Sequence, residues 1–219
     1  SDEIKMLEKT GKVYTSNKRN TSIFLSASDG HDAAILDDGF QDFSIIPNLS
    51  ILCFNSKQMI GNGQVIPAGP LRESLNAIQR ADCIIINGDK NLEFEKKILK
   101  FKRKKQLHIF YSKYKIKNIE KFKGKTITAF AGIGNPSNFF NLLRESNLNL
   151  NKMHTFPDHH NYSKEDFEIL SEEKSNVLVT TEKDYCRLNE NQKKICQFIE
   201  VDLEIENQEI FKNTIKSYL

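Results

Sequence analysis

Two aspartates that directly follow a short apolar run form the first candidate chemical group. Residues 33–36, Ala-Ala-Ile-Leu, precede Asp37 and Asp38, and Gly39 and Gln41 follow. An apolar strand that ends in carboxylates is the Walker B arrangement, in which a rigid strand holds a carboxylate near the Mg2+ ion that bridges nucleotide phosphates. The alternative is a strand followed by an ordinary polar turn, where Asp and Gly are common.

A loop rich in glycine and proline, residues 61–73, is the second candidate. Three glycines and two prolines lie within residues 61–70, and the loop ends in Arg72 and Glu73. Such a backbone is restricted in shape and can approach a ligand closely, so Glu73 could join a metal site or orient its neighbours. The alternative is an ordinary connecting loop.

Three further segments combine an apolar run with polar residues. Residues 126–136 predict a strand, a turn containing Gly132 and Gly134, and a helix start, which is a geometry that receives phosphates but also serves packing alone. Residues 156–162 contain His159 after Asp158, and a histidine beside a carboxylate can act in acid–base catalysis. The alternative there is a surface turn. Residues 177–184 again predict a strand with a charged exit.

Two other ligand classes are disfavoured by spacing. A dinucleotide-binding turn needs a third glycine after Gly134, but Ser137 stands at that position. A zinc site is disfavoured because His159 and His160 are adjacent and no further ligands have metal spacing.

Alternating strands and helices must position these residues. The apolar runs predict strands over 33–36, 50–54, 83–86, 126–131, 176–179 and 198–201. Amphipathic patterns predict helices over 75–80, 92–101, 136–145, 163–170 and 208–219, with a capping box at Ser163. This order predicts an α/β fold with a mainly parallel sheet, in which ligands bind at the carboxyl ends of strands.

The composition excludes several classes. The chain has 32 basic and 29 acidic residues and a net charge of +3, which gives no support for nucleic-acid binding. No apolar run is long enough to span a membrane, and the polar first twenty residues are unlike a signal peptide. The start at Ser1 is typical of a fragment. The four cysteines lack CxxC spacing and predict buried, reduced thiols in a cytosolic protein.

Six motifs in this order resemble the tetraacyldisaccharide 4'-kinase family, the lipid A kinases of Gram-negative bacteria. They are Asp37 to Gln41, Gly61-Asn62-Gly63, Pro67 to Glu73, Ala129 to Gly134, Asp158-His159, and Thr181 to Asp184. The resemblance implies ATP-dependent phosphorylation of the 4'-hydroxyl of a lipid A disaccharide precursor. It implies a P-loop-kinase-like domain, incomplete at its N-terminus, over residues 1–122, and a smaller α/β domain over 123–219, with the last helix returning to the first domain.

The resemblance also implies roles for single residues. Asp2 and His159 would be the catalytic acid–base pair. Asp37, Asp38, Gln41 and Glu73 would bind the nucleotide, with Asp37, Asp38 and Glu73 around Mg2+. The protein would be a monomer at the anionic inner face of the inner membrane. The family usually has His where this chain has Asp42, so this chain departs from the family pattern at that position.

The sequence also lacks the Walker A loop, Gly-x4-Gly-Lys-Ser/Thr. Gly124-Lys125-Thr126 has only its ending, because Ile119 stands where the first glycine is required. We therefore expect an N-terminally truncated kinase that is inactive alone, and the alternative is a non-catalytic lipid- or partner-binding remnant. The lysine-rich stretch 96–125 indicates a solvated surface or, alternatively, a surface attracted to anionic lipid headgroups.

Overall fold

The chain divides into two compact units. The computed structural model describes Ile4, Leu7, Glu8 and residues 10–102, 107–172 and 176–219. One unit consists of residues 14–113 and 203–219, here called the discontinuous unit. The other consists of residues 1–13 and 114–202, here called the central unit.

The first four-stranded sheet has the order β1-β2-β3-β8. These strands are β1 (Ile51–Asn55), β2 (Cys83–Asn87), β3 (His108–Ile116) and β8 (Val201–Ile205). β1, β2 and β3 are parallel neighbours. Ile84 and Ile86 of β2 are fully buried and pack with Ile78, Phe94 and Ile98. The discontinuous unit also contains helices α1 (Arg19–Ser28), α2 (Leu92–Leu99) and α7 (Gln208–Lys216), and 3-10 helices Gly39–Gln41 and Leu75–Arg80.

The second sheet lies in the central unit and has the order β5-β4-β6-β7, with all neighbours parallel. Its strands are β4 (Thr126–Ala131), β5 (Asn149–Thr155), β6 (Val177–Thr181) and β7 (Gln197–Ile199). The helices of this unit are α3 (Pro136–Glu145), α4 (Lys164–Leu170), α5 (Glu182–Arg187) and α6 (Glu190–Ile195), with a 3-10 helix at Ile119–Lys121.

Alternation along β4 shows that this sheet is covered on both faces. Ile127, Ala129 and Ala131 pack into one apolar cluster, whereas Phe130 packs into another with Phe167. All four of those cluster residues from β4 are fully buried. Two covered faces explain why β4 is a nearly continuous apolar run, as expected for a parallel sheet.

The structure confirms many of the predicted elements. Strands form at 51–55, 83–87, 126–131 and 177–181, and helices form at 92–99, 136–145, 164–170 and 208–216. The Ser163 capping box is present, because its side chain accepts from Asp166 N at 3.1 Å and its N–H donates to Asp166 Oδ2 at 2.8 Å. The predicted helix at 75–80 is a 3-10 helix.

The predicted strand at 33–36 is wrong. These residues have no regular secondary structure, and Ile35 is 99% exposed. A strand needs a neighbour that pairs with its backbone, and no described strand pairs with this segment. The Walker B pattern is therefore present in sequence without its strand. The predicted strand at 198–201 is also incorrect, because it spans the ends of two strands. β7 ends at Ile199 in the second sheet, and β8 begins at Val201 in the first sheet.

The cysteines are only partly buried, which corrects the prediction for Cys53 and Cys186. All four thiols are free, but Cys53 is exposed and Cys186 is half-buried. Cys53 lies in β1, at the edge of the described sheet, where one side has no neighbouring strand among the described residues. Burial raises the pKa of the Cys83 thiol to about 12, so that thiol stays protonated at neutral pH.

Candidate functional site

Three of the predicted motifs meet at one edge of the central unit. β5, β4 and β6 are adjacent and parallel, so the segments after them leave the sheet on the same side. These segments are the His159 turn (residues 156–160), the glycine turn (residues 132–135) and the start of α5. The prediction that polar residues gather at the carboxyl ends of the strands is therefore confirmed for these three motifs.

His159 presents an accessible imidazole on this edge. Its side chain is 63% exposed, and its backbone has a left-handed φ of 59°. Its backbone N–H donates to Gly132 O at 3.1 Å and to Asp158 Oδ1 at 3.0 Å. These contacts fix the turn while the ring can meet a substrate from solvent. An imidazole can exchange a proton near neutral pH, as a catalytic acid or base must.

His160 is packed into the fold, unlike its neighbour. Its ring stacks on Phe156 at a centroid distance of 4.8 Å, and its Nε2 lies 2.9 Å from Asp166 Oδ2. Although burial opposes it, the hydrogen bonds from His160 and Ser163 hold the pKa of Asp166 below its usual value. His160 therefore contributes to packing and hydrogen bonding, so its substitution would not be a suitable control for a His159 variant.

Asp184 is the most deeply enclosed carboxylate of this edge. It is fully buried, and Arg187, 7% exposed, pairs with its Oδ1 at 3.0 Å. Tyr162 Oη donates to Oδ1 at 2.8 Å, and Thr181 Oγ1 donates to Oδ2 at 2.7 Å. Gly132 N donates to both oxygens at 3.2 and 3.1 Å. This charge is paired and fully hydrogen-bonded, which is the condition under which a buried carboxylate is tolerated.

Gly132 has no room for a side chain. A Cβ atom there would lie 2.8 Å from Tyr162 Oη and 3.0 Å from Pro157 O. The glycine turn therefore lies directly against the His159 turn. Close approach of the neighbouring turn is therefore sufficient to require glycine at this position.

In the discontinuous unit, Arg19 organises the turn that carries Asp37 and Asp38. Its guanidinium donates to Asp37 O at 2.8 Å and to Asp38 O at 3.2 Å. Asp38 has a left-handed φ of 50° and pairs through Oδ1 with Arg72 at 3.1 Å. Both aspartates are exposed, so their carboxylates lie at the surface of this unit.

Asp42, which directly follows the Asp37 to Gln41 motif, is bound locally. It accepts from Ser44 N at 2.9 Å and Ser44 Oγ at 2.6 Å, and Arg19 lies 3.4 Å away. These Ser44 hydrogen bonds lower the pKa of Asp42 below its usual value. The carboxylate therefore holds the turn that follows Gln41.

Glu73 and Gln41, which the resemblance assigns to the nucleotide site, lie together. Gln41 Nε2 donates to Glu73 Oε1 at 3.0 Å. Arg80 Nη2 lies 2.9 Å from both oxygens of Glu73, and its guanidinium carbon lies 4.5 Å from the Phe40 ring centroid. A guanidinium between a carboxylate and an aromatic face is held by charge and by cation–π attraction.

A cavity of about 260 Å3 adjoins this pair. Gln41, Arg72 and Glu73 line its polar side, and Phe40 and Leu71 belong to its apolar side. The neighbouring loop is closed by its own hydrogen bonds, from Ile66 N to Leu71 O at 2.8 Å and from Asn62 Nδ2 to Ala68 O at 2.8 Å. The loop thus has the defined shape that its glycines and prolines predict.

Two of the three carboxylates expected around Mg2+, those of Asp38 and Glu73, are paired with arginines in this conformation. Within the part of the chain that the structure describes, no three His, Cys, Asp or Glu side chains form a group able to hold a metal ion. Glu73 is paired with Arg80, and Asp38 is paired with Arg72. A metal ion that bound these two carboxylates would have to compete with the arginines.

Some predicted residues lie outside the described part of the chain, and other residues of these sites were not predicted. Asp2, Arg103, Lys104 and Lys105 belong to the first group. Arg19 and Arg80 were missed because an arginine that contacts residues distant in the chain has no sequence signal of its own. Asp184 was recognised only as part of a charged strand exit, and Tyr162 was not recognised as its partner.

Comparison with known proteins places the chain in a family. The family model described as tetraacyldisaccharide-1-P 4'-kinase matches residues 1–219. A tetraacyldisaccharide 4'-kinase of Pelagibacter ubique is 35% identical over 219 residues, covering 98% of this chain and 70% of the relative. Relatives of the same name from Bradyrhizobium diazoefficiens and Rickettsia akari are 35% and 33% identical, covering 85% and 98% of this chain.

This chain spans 56% of the Bradyrhizobium protein and 65% of the Rickettsia protein. Among the described residues, no helix combines the length and apolar character needed to cross a membrane. The match over all 219 residues, with the motifs in order, establishes that this chain belongs to the tetraacyldisaccharide-1-P 4'-kinase family.

Proposed function

We propose that the full-length protein transfers a phosphoryl group from ATP to the 4'-hydroxyl of a tetraacylated glucosamine disaccharide 1-phosphate. The observation that carries this proposal is the family match over residues 1–219. The geometry supports it, because the central unit has a residue suited to acid–base chemistry and the discontinuous unit has a cavity with polar side chains. His159 is an accessible acid–base group, and Gln41 and Glu73 line a cavity.

His159 and Asp2 are the proposed acid–base pair. The exposed imidazole would orient the Asp2 carboxylate and tune its basicity toward the sugar hydroxyl. Phosphoryl transfer needs an oriented hydroxyl and stabilised charge rather than a covalent intermediate. A fixed His159 turn with an exposed ring suits that requirement.

Asp37, Asp38, Gln41 and Glu73 are the proposed nucleotide-side residues. Arg72 and Arg80 lie within ion-pair distance of Asp38 and Glu73. The two guanidinium groups could stabilise phosphate charge, since arginine binds phosphate in a bidentate manner. The proposal assigns Glu73 to Arg80 rather than to Mg2+.

The test is an assay of the full-length protein with radiolabelled ATP and tetraacyldisaccharide 1-phosphate. We expect a doubly phosphorylated product whose new phosphate is at the 4'-position. A protein that binds the lipid without forming this product would be the non-catalytic remnant, and the proposal would be wrong.

Residues 1–219 expressed alone should not turn over ATP. The sequence of these residues contains no Gly-x4-Gly-Lys-Ser/Thr loop, so the phosphates lack the backbone cradle and lysine of a P-loop kinase. The same assay applied to this polypeptide measures the effect. Product formation well above the background without enzyme would contradict the prediction.

We also propose that the protein works at the anionic inner face of the inner membrane. Lys96, Lys97 and Lys100 are exposed around α2, whereas Lys102 is hydrogen-bonded to Ala81 O. Each exposed lysine near an anionic surface contributes about 1 kcal/mol, so exchanging three for Gln should weaken vesicle binding roughly 100-fold.

Co-sedimentation with vesicles containing phosphatidylglycerol measures this binding. Lys212→Gln, on another helix of the same unit, is the control, because its amine is paired with Glu209 at 3.0 Å. Equal binding to neutral and anionic vesicles would contradict a membrane role for these lysines.

A further inference from the structure

We propose that Asp184 is the positioning residue for His159, acting through Gly132. This inference rests on the proposed function for its kinetic part, but its structural part stands on described contacts alone. Asp184 is fully buried, so it cannot contact a substrate in this conformation. Its hydrogen bonds nevertheless lead to the backbone of the exposed His159.

Gly132 connects the two residues in two steps. Its N–H donates to both carboxylate oxygens of Asp184, at 3.2 and 3.1 Å. Its carbonyl accepts the N–H of His159 at 3.1 Å. The N–H and the carbonyl of Gly132 are therefore both hydrogen-bonded. A shift of Asp184 would move Gly132 and, with it, the carbonyl that accepts the His159 N–H.

Arg187 strengthens the same connection. Its Nη2 pairs with Asp184 Oδ1 at 3.0 Å and donates to Gly132 O at 3.1 Å. Its Nη1 donates to His160 O at 3.5 Å. The guanidinium thus neutralises the buried carboxylate while it contacts both turns.

The His159 backbone needs this support. A residue with side chain and a φ of 59° occupies a sparsely populated region, which persists where the surrounding structure holds it. Two hydrogen bonds from the His159 N–H, one of them to Gly132 O, stabilise this backbone conformation. The buried carboxylate is therefore connected to a residue of this edge that presents an accessible imidazole to solvent.

Tyr162→Phe tests the connection without removing the buried charge. It deletes the 2.8 Å hydrogen bond to Asp184 Oδ1, and the ring can still pack on Phe130, at a centroid distance of 5.0 Å. We expect amide hydrogen exchange at His159 to become about tenfold faster, because a hydrogen bond to a charged group is lost. In the full-length enzyme kcat should fall about tenfold with KM unchanged, because a positioning effect acts on the chemical step.

Tyr185→Phe is the matched control. Tyr185 packs on Phe198 in the same unit at a centroid distance of 4.7 Å, and its ring stays in the variant. We expect unchanged exchange at His159 and unchanged kcat. A paired comparison of Thr181→Val with Thr181→Ser serves as rescue, since only serine keeps the hydroxyl that donates to Asp184 Oδ2.

The outcomes separate this inference from the proposed function. Amide exchange needs no substrate, so it reports on Asp184 even if the wild-type protein phosphorylates nothing. If Tyr162→Phe and Thr181→Val lower the melting temperature but leave His159 exchange and kcat unchanged, Asp184 is only structural and the inference is overturned. Faster exchange at His159 with a lower kcat, restored in Thr181→Ser, supports it.

Discussion

His159→Asn should reduce the kcat of the full-length enzyme by about 100- to 10,000-fold, because a positioned acid–base group contributes this much. KM for ATP and for the lipid should change little, since the imidazole is expected to act on the hydroxyl proton. Asparagine tolerates the left-handed φ of 59° at this position, so the turn should survive. Steady-state kinetics with the melting temperature as a fold check measures the effect.

His31→Asn is the control for that variant. His31 is another exposed histidine, and it lies in the discontinuous unit, where its ring contacts Tyr14 edge-on at a centroid distance of 5.8 Å. Its activity should equal that of the wild type. If the two variants were equally active, the acid–base role of His159 would be refuted.

Asp184→Ala should destabilise the protein by about 3–5 kcal/mol, which is the usual cost of removing one partner of a buried ion pair. It would leave Arg187, 7% exposed, without its carboxylate, and it would remove the acceptor of Tyr162 and Thr181. Urea unfolding followed by circular dichroism on residues 1–219 measures the change in the free energy of unfolding.

Glu168→Ala provides the matched surface comparison. Glu168 pairs with Lys164 at 4.0 Å in the same unit, with both side chains largely exposed. An exposed pair contributes at most about 1 kcal/mol, so this variant should unfold at nearly the wild-type urea concentration. Equal losses in the two variants would mean that Asp184 contributes no more than a surface charge.

The sequence predicts β4, β6, α3 and α4 of the central unit because their signals are local, whereas β5, α5 and α6 were not predicted. The apolar run of β4, the glycine turn after it and the Ser163 capping box each depend on residues close in the chain. Parallel pairing then brings the ends of β5, β4 and β6 together. The neighbourhood of the His159 turn and Asp184 follows from that topology.

Burial and pairing partners could not be predicted in the same way. His159 and His160 are adjacent and chemically identical, yet one ring is exposed and the other stacks on Phe156. The difference depends on the left-handed turn at His159, which has no periodic signal. Asp184 likewise has the sequence context of an exposed strand exit but is fully buried.

The discontinuous unit shows the same limit for long-range contacts. The apolar run at 33–36 has the composition of a strand, but a strand forms only where a neighbour pairs with it. Arg80 reaches Glu73 from seven residues away, and Arg19 reaches Asp37 from eighteen. β3 was missed because Lys113 and Lys115 interrupt its apolar pattern, although Ser112 and Ile116 beside them are buried.

A double-mutant cycle on Asp2 and His159 tests the central claim most directly. The rate of phosphoryl transfer in a single turnover is measured for the full-length wild type, Asp2→Ala, His159→Asn and the double variant. If the two residues act as one acid–base unit, each single variant is strongly impaired and the double variant is little worse than either. Fully additive losses would contradict this account, because they would show that Asp2 and His159 act independently.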